Sequence, residues 1–348
     1  MEKIRTQLGD GTLIELSEKE LRRDIENGTI DAGERGKIPP LCEDELNRLF
    51  EICSSKERLC SVNRGGEIVL SNDGMTAKVR RMGIEVDRVQ GLQIHERAFG
   101  ADILEIDHID YSYKAIKPIV SEEIPVMEQA LSSTIAPLFY GAMPNLGYYS
   151  QPDGPVPNPA DLMIEGKIED AKQAGEEAIA HAVKDIVFVA SQMYEAGADG
   201  VDIDTVGAAG DTDFAAALRA TEILKKRYPD ICIEMGMAGE FILGMHGDIT
   251  YGGVRLAGLY PHEQVQLAEK AGATLFGPVV NTLISKSVPE NIARAVTFIK
   301  FCVETAQIPV HANMGMGVGA VPMCDILPID AVSLASKAMV EMTRLDGL

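Results

Sequence analysis

Tryptophan is missing from this 348-residue chain, and aromatic residues make up only 5% of it. The apolar content, 46% of all residues with 15 Met among them, is therefore mostly aliphatic, as expected of parallel strands buried under helices. Basic residues are also scarce: 32 Lys and Arg stand against 53 Asp and Glu, a formal net charge of −21. That balance argues against nucleic acid or an anionic membrane as a partner. It suits ordinary solubility and leaves a negative field that favours a cationic substrate. No apolar run reaches the roughly 18 residues of a membrane-spanning helix, and Met1-Glu2-Lys3-Ile4-Arg5 lacks the apolar core of a signal peptide. The six Cys, at 42, 53, 60, 232, 302 and 324, make no C-x-x-C pair. Their spacing matches neither a disulfide framework nor a structural zinc site and predicts reduced thiols in a cytoplasmic protein.

What is present divides the chain in two. Residues 1–90 read as an α-rich N-terminal elaboration. They hold a turn at Gly9-Asp10-Gly11, a helix announced by the capping box Ser17-x-x-Glu20, and a second helix over about 43–54 with Leu46, Leu49, Phe50 and Cys53 on one face. Short strand-like runs follow at 67–70 and 82–86. From 91 to 348 the pattern becomes α/β. Strands are expected at 102–113, 135–140, 199–205, 230–236, 273–280 and 308–313, with helices at 159–196, 212–227, 262–271, 289–305 and 328–343 between them. The loop from Gly147 to Pro159, with four Pro and two Gly, is long for a compact domain. Strand–helix alternation at this spacing means parallel strands joined by right-handed crossovers. A (β/α)8 TIM-barrel type fits better than a doubly wound sheet, because polar residues and Gly recur after nearly every strand instead of only the first. Leu345-Asp346-Gly347-Leu348 reads as the start of a further strand, so the barrel is expected to be incomplete at its C-terminus.

In such a barrel the residues at the C-terminal ends of the strands face the site. They are Asn145, Asp202, Asp204, Glu234, Glu240, Asn281 with Thr282, and His311 with Asn313. Each could instead hydrogen-bond a neighbouring loop; as a set they define a polar, acidic cavity. Asp202 and Asp204 are two apart and share a strand face. Glu234 interrupts an apolar strand, and burial there would raise its pKa and suit proton transfer; a structural salt bridge is the alternative. His246, His262 and His311 show no paired ligand spacing, so no metal is expected. Gly315-x-Gly317-x-Gly319 would let the backbone approach a ligand closely, although it is not the dinucleotide fingerprint. No Ser or Cys stands in a nucleophile elbow.

Longer strings are specific. HERAFGAD at 95–102, PLFYGAMPN at 137–145, GMAGE at 236–240, LGMHG at 243–247, FGPVVNT at 276–282, NMGMGVG at 313–319 and SKAMVE at 336–341 resemble the dimethylamine methyltransferase family of methylotrophic methanogens. The resemblance runs from the Gly9-Asp10-Gly11 turn to Leu348. It implies a TIM barrel whose reactive residue is pyrrolysine, encoded by an in-frame UAG directly after the segment that Asp346-Gly347-Leu348 matches. On that basis the sequence is terminated at the amber codon. The implied reaction is methyl transfer from dimethylamine to the Co(I) of a small corrinoid protein, leaving monomethylamine, in methanogenesis from methylamines. The corrinoid belongs to the partner, this chain binds no cofactor of its own, and a homo-oligomer is expected. Strand-end position, not the resemblance, assigns Glu234, Asp204, Glu240 and His311 to catalysis. The same criterion assigns Asp202, Asn281, Asn313 and Asn145 to substrate binding.

Two other readings follow from the same residues. One keeps the barrel for a relative that acts on another methylated amine without pyrrolysine. The other takes the 348-residue chain as an inactive amber-terminated fragment, since the proposed electrophile lies beyond it.

Overall fold

The capping box at Ser17 starts the first helix as its spacing predicts. The Ser17 N–H donates to Glu20 Oε2 at 2.8 Å, and Glu20 N–H donates back to Ser17 Oγ at 3.4 Å. The protein is seen here as a computed structural model that describes residues 3–55, 68–69, 139–142 and 149–348, apart from 153, 199, 204–205, 208–209, 245–246 and 325–326. The expected strands at 82–86 and 102–113 lie outside the described residues. Two compact units divide the chain, one formed by Met1–Asp107, Val279–Glu304 and His311–Leu348, the other by His108–Pro278 and Thr305–Val310.

The first unit opens with an antiparallel hairpin, β1 (Ile4–Gln7) and β2 (Leu13–Leu16), in which Ile4 pairs with Leu16. Gly11 makes its turn at φ 86. Helix α1 (Glu18–Gly36) packs on α2 (Glu43–Ser54), whose buried edge is Leu49, Ile52 and Cys53. Phe50 of α2 is capped by the Arg22 guanidinium, 3.6 Å from the ring centre. A two-residue strand, β3 (Ile68–Val69), falls within the run expected at 67–70 and pairs with Leu327–Pro328. The helix Val288–Thr305 starts one residue before its expected limit, and Ile329–Thr343 follows the short strand at 327–328.

The second unit carries a four-stranded parallel sheet: β4 (Phe139–Ala142), β5 (Gly200–Ile203), β6 (Cys232–Ala238) and, after the antiparallel pair β7 (Thr250–Tyr251) and β8 (Val254–Arg255), β9 (Leu275–Pro278). Its spatial order, β4-β5-β6-β9, follows the order in the chain without reversal. Val310 extends it by one parallel bridge to Phe276; the strand expected at 308–313 is reduced to such bridges. The helix expected over 159–196 is two helices, α3 (Pro159–Ile164) and α4 (Ile168–Glu195). Gly166 breaks them apart at φ 76, a backbone conformation that glycine adopts at no steric cost. Helices α5 (Asp211–Arg227) and α6 (Pro261–Ala271) complete the crossovers. The Ala-rich edge of α4 (Ala171, Ala174, Ala178, Ala182) is buried, and α4 packs on α5. Among the described residues the sheet does not close into a barrel, and no helix is long and apolar enough to cross a membrane. The final two helices are named α7 (Val288–Thr305) and α8 (Ile329–Thr343), and the strand between them β10 (Leu327–Pro328).

Candidate functional site

The parallel register sets a row of partners across the sheet: Gly141 opposite Asp202, Asp202 opposite Glu234, and Glu234 opposite Leu275. Successive strand residues point to alternate faces. Val201, Ile203, Ile233 and Met235 therefore go to the face that is fully buried. Asp202 and Glu234 share the other face, and both are half-buried. Glu234 thus differs from the expectation of deep burial, because it stands on the face opposite the aliphatic core. What distinguishes it is a second acidic residue, Asp202, directly beside it on the neighbouring strand.

The end of β6 is tied down by main-chain bonds. Val206 N–H donates to Gly236 O at 3.3 Å, Gly239 N–H donates to Val206 O at 3.0 Å, and the buried Gln264 side chain donates to Gly239 O at 2.7 Å. Glu240 follows this knot and is 6% exposed, deeper than Asp202 or Glu234. Asp204 and Asn145 lie outside the described residues.

His311, Asn313 and Asn281 belong to the first unit. His311 is half-buried and pairs with Gly347 in a parallel bridge, with Ala312 N–H donating to Gly347 O at 3.1 Å. Asn281 bridges Val318, Thr282 N–H donates to Gly317 O at 2.8 Å, and Gly319 N–H donates to Val280 O at 2.9 Å. The glycine run at 315–319 is thereby explained: it folds back onto the strand end that carries Asn281. Gly319 sits at φ 64, and a Cβ there would run into Asn313 O. The close approach is to the protein itself, to the Asn313 backbone at Gly319 and to the Met323 side chain at Gly317. It also gathers Asn281, whose side chain is exposed, and the half-buried Asn313 at one loop.

Several polar groups were not among the sequence candidates. Asp211 and Asp213, at 0% and 2% exposure, occupy the first turn of α5. There the unsatisfied N–H groups and the positive end of the helix dipole favour negative charge. Asn291 and Arg294, each 2% exposed, hold the loop after Asn281 from behind. His262 is half-buried; burial pushes its imidazole below the ordinary value of 6.5, and the neighbouring Glu263 only partly opposes this. In the long loop before α3, burial and then a hydrogen bond to Asp185 at 2.9 Å push the Tyr149 hydroxyl upward. Among the described residues no group of three His, Cys, Asp or Glu is placed to hold a metal ion.

A family model described as dimethylamine methyltransferase matches residues 2–348, nearly the full length. The chain is a methyltransferase and belongs to the dimethylamine methyltransferase family.

Proposed function

We propose that this chain carries the amine-binding face of an enzyme that transfers a methyl group from dimethylamine to the Co(I) of a corrinoid protein and releases monomethylamine. The observation that carries the reading is the side-by-side placement of Asp202 and Glu234 on one face of the parallel sheet, in a family named for a secondary amine. At neutral pH such an amine is mostly a cation, which two adjacent carboxylates attract. The scaffold in this reading is a TIM-type barrel. Its support is the strand order, which advances in chain order from β4 to β9 as barrel staves do.

The chemistry balances around one proton. Asp202 and Glu234 together hold the incoming dimethylammonium cation, and Glu234 then takes its N–H proton, leaving neutral dimethylamine in the site. The corrinoid cobalt would supply the methyl acceptor; when the C–N bond breaks, its electron pair stays on nitrogen and Glu234 returns the proton so that monomethylamine leaves neutral. Proton transfer of this kind contributes typically 10²–10⁴-fold. Pyrrolysine, read as the residue after Leu348, supplies an electrophilic imine that positions the amine nitrogen.

Intact mass of the native protein, with its C-terminal peptide sequenced, tests this arrangement. A mass above 37.6 kDa with pyrrolysine after Leu348 is expected. A mature protein ending at Leu348 would remove the electrophile and leave methyl transfer without its proposed centre.

A further inference from the structure

Glu234 has a register partner on each side: Asp202 on β5 and Leu275 on β9. Neighbouring strands lie about 4.8 Å apart, so Asp202, Glu234 and Leu275 form a continuous row across the sheet. The register is fixed directly below this row. Thr274 N–H donates to Ile233 O at 2.8 Å, and Ile233 N–H donates to Thr274 Oγ1 at 2.7 Å. On the other side of β9, Phe276 N–H donates to Pro309 O at 3.0 Å. The one slip of β6 against β9 falls between Met235 and Ala238, beyond the row.

Alternation along β9 decides where Leu275 points. Phe276 is fully buried on the aliphatic core face, so Leu275 shares the other face with Asp202 and Glu234, and there it is half-buried. Two residues further along each strand stand Gly236 and Gly277, so no side chain rises above Glu234 or Leu275 from their own strands. A leucine whose only task was core packing would belong with Ile233, Met235 and Phe276 on the closed face. An aliphatic side chain left partly open beside two acids suits a ligand that is cationic at one atom and apolar at the next. Dimethylammonium has that form: its N–H groups meet the carboxylates, and its methyl groups are left to meet an apolar wall.

We propose that Leu275 is a specificity-determining residue of the amine site: its side chain packs on an N-methyl group of the amine held by Asp202 and Glu234, and so sets the size of alkyl group that the site accepts. The inference rests on the reading above, in which those two carboxylates bind the amine. An apolar wall of this kind distinguishes ligands that differ by one methylene by about 10–200-fold.

The test compares full-length wild type with Leu275→Ala, Leu275→Val and Glu234→Gln, following steady-state methyl transfer from dimethylamine and from N-ethylmethylamine. Leu275→Ala is expected to raise KM for dimethylamine by about fourfold, the worth of one buried methyl group. It is also expected to shift the ratio of kcat/KM between the two amines by about tenfold or more in favour of N-ethylmethylamine, because the shortened side chain leaves room for the extra methylene. Leu275→Val moves the ratio in the same direction by less, and it carries the test if Leu275→Ala does not fold. A general loss of structural integrity would lower turnover of both amines alike, so the ratio is the deciding quantity. A ratio within about twofold of wild type in the folded Leu275 variants would overturn the proposal. Glu234→Gln reads the carboxylate assignment by itself. Wild-type kinetics on both amines in that variant would remove the amine site, whereas a crippled Glu234→Gln beside an unchanged ratio in the Leu275 variants would remove only Leu275.

Discussion

The carboxylate of Asp202 on β5 lies over Gly236 on β6, so that a Cβ at Gly236 would fall inside contact distance of Asp202 Oδ1. The glycine leaves room for that carboxylate on the sheet face it shares with Glu234. Gly236→Ala therefore pushes that carboxylate aside, because the three atoms nearest the added Cβ all belong to Asp202. The expected outcome is a fall in kcat/KM of at least about tenfold with a melting temperature close to wild type. Wild-type turnover in Gly236→Ala would remove Asp202 from the amine site.

Charge removal at the pair makes a second prediction. Asp202→Asn and Glu234→Gln keep shape and hydrogen-bonding capacity but not charge. Glu234→Gln is expected to lower kcat by about 10²–10⁴-fold, the range for a lost proton carrier, and Asp202→Asn to act mainly on KM. Because the two act on one substrate cation, the double variant is expected to lose less than the product of the single losses. Steady-state kinetics with dimethylamine reads all three, and a Glu234→Gln enzyme of wild-type kcat would sink its role.

Much of this architecture is legible along the chain wherever a local rule decides it. The Ser17–Glu20 capping box sets the start of α1, and the apolar period of 43–54 sets both ends of α2, because caps and periodicity are satisfied locally. The period-2 alternation of Val201, Asp202 and Ile203 likewise puts Asp202 on its own face. What could not be read is what depends on distant partners. Arg294 lies in the run Ile292-Ala293-Arg294-Ala295-Val296, which reads as an apolar helix, and the Asp31 that justifies its charge is 263 residues away. The glycines at 315–319 announce a close approach without saying to what, and the structure shows that the approach is to Val280 and Asn313. Glu234 looks buried because its strand neighbours are apolar, yet only the register shows that its face is the half-buried one.

Gly28, within α1, separates a propensity rule from a packing rule. Replacing a mid-helix glycine by alanine ordinarily stabilises a helix by about 1 kcal/mol. Here a Cβ would meet the Glu290 carbonyl oxygen and crowd the Ala293 methyl of α7. Backbone atoms cannot move as a side-chain tip can, so Gly28→Ala is expected to be net destabilising by about 1–3 kcal/mol. Urea unfolding monitored by circular dichroism measures it, and a stabilised variant would show that the two helices can part at no cost.

His262 gives the chain a pH dependence with a definite sign. Burial holds its folded-state pKa below the 6.5 expected of the unfolded chain, and its position in the first turn of α6 adds the unfavourable positive end of the helix dipole. Between the two pKa values the unfolded chain binds more protons than the folded one, so stability rises with pH across that window. Above pH 6.5 the histidine is neutral in both states and contributes no slope. As the pH falls below 6.5 stability is lost, and the loss levels off once the pH is beneath the folded-state value. His262→Gln, which cannot titrate, should flatten this segment of the curve while leaving stability at pH 8 nearly unchanged. Urea midpoints collected from pH 8 down to pH 5 for both proteins make the comparison. Parallel curves over that range would mean that His262 is solvated as well in the folded protein as in the unfolded chain.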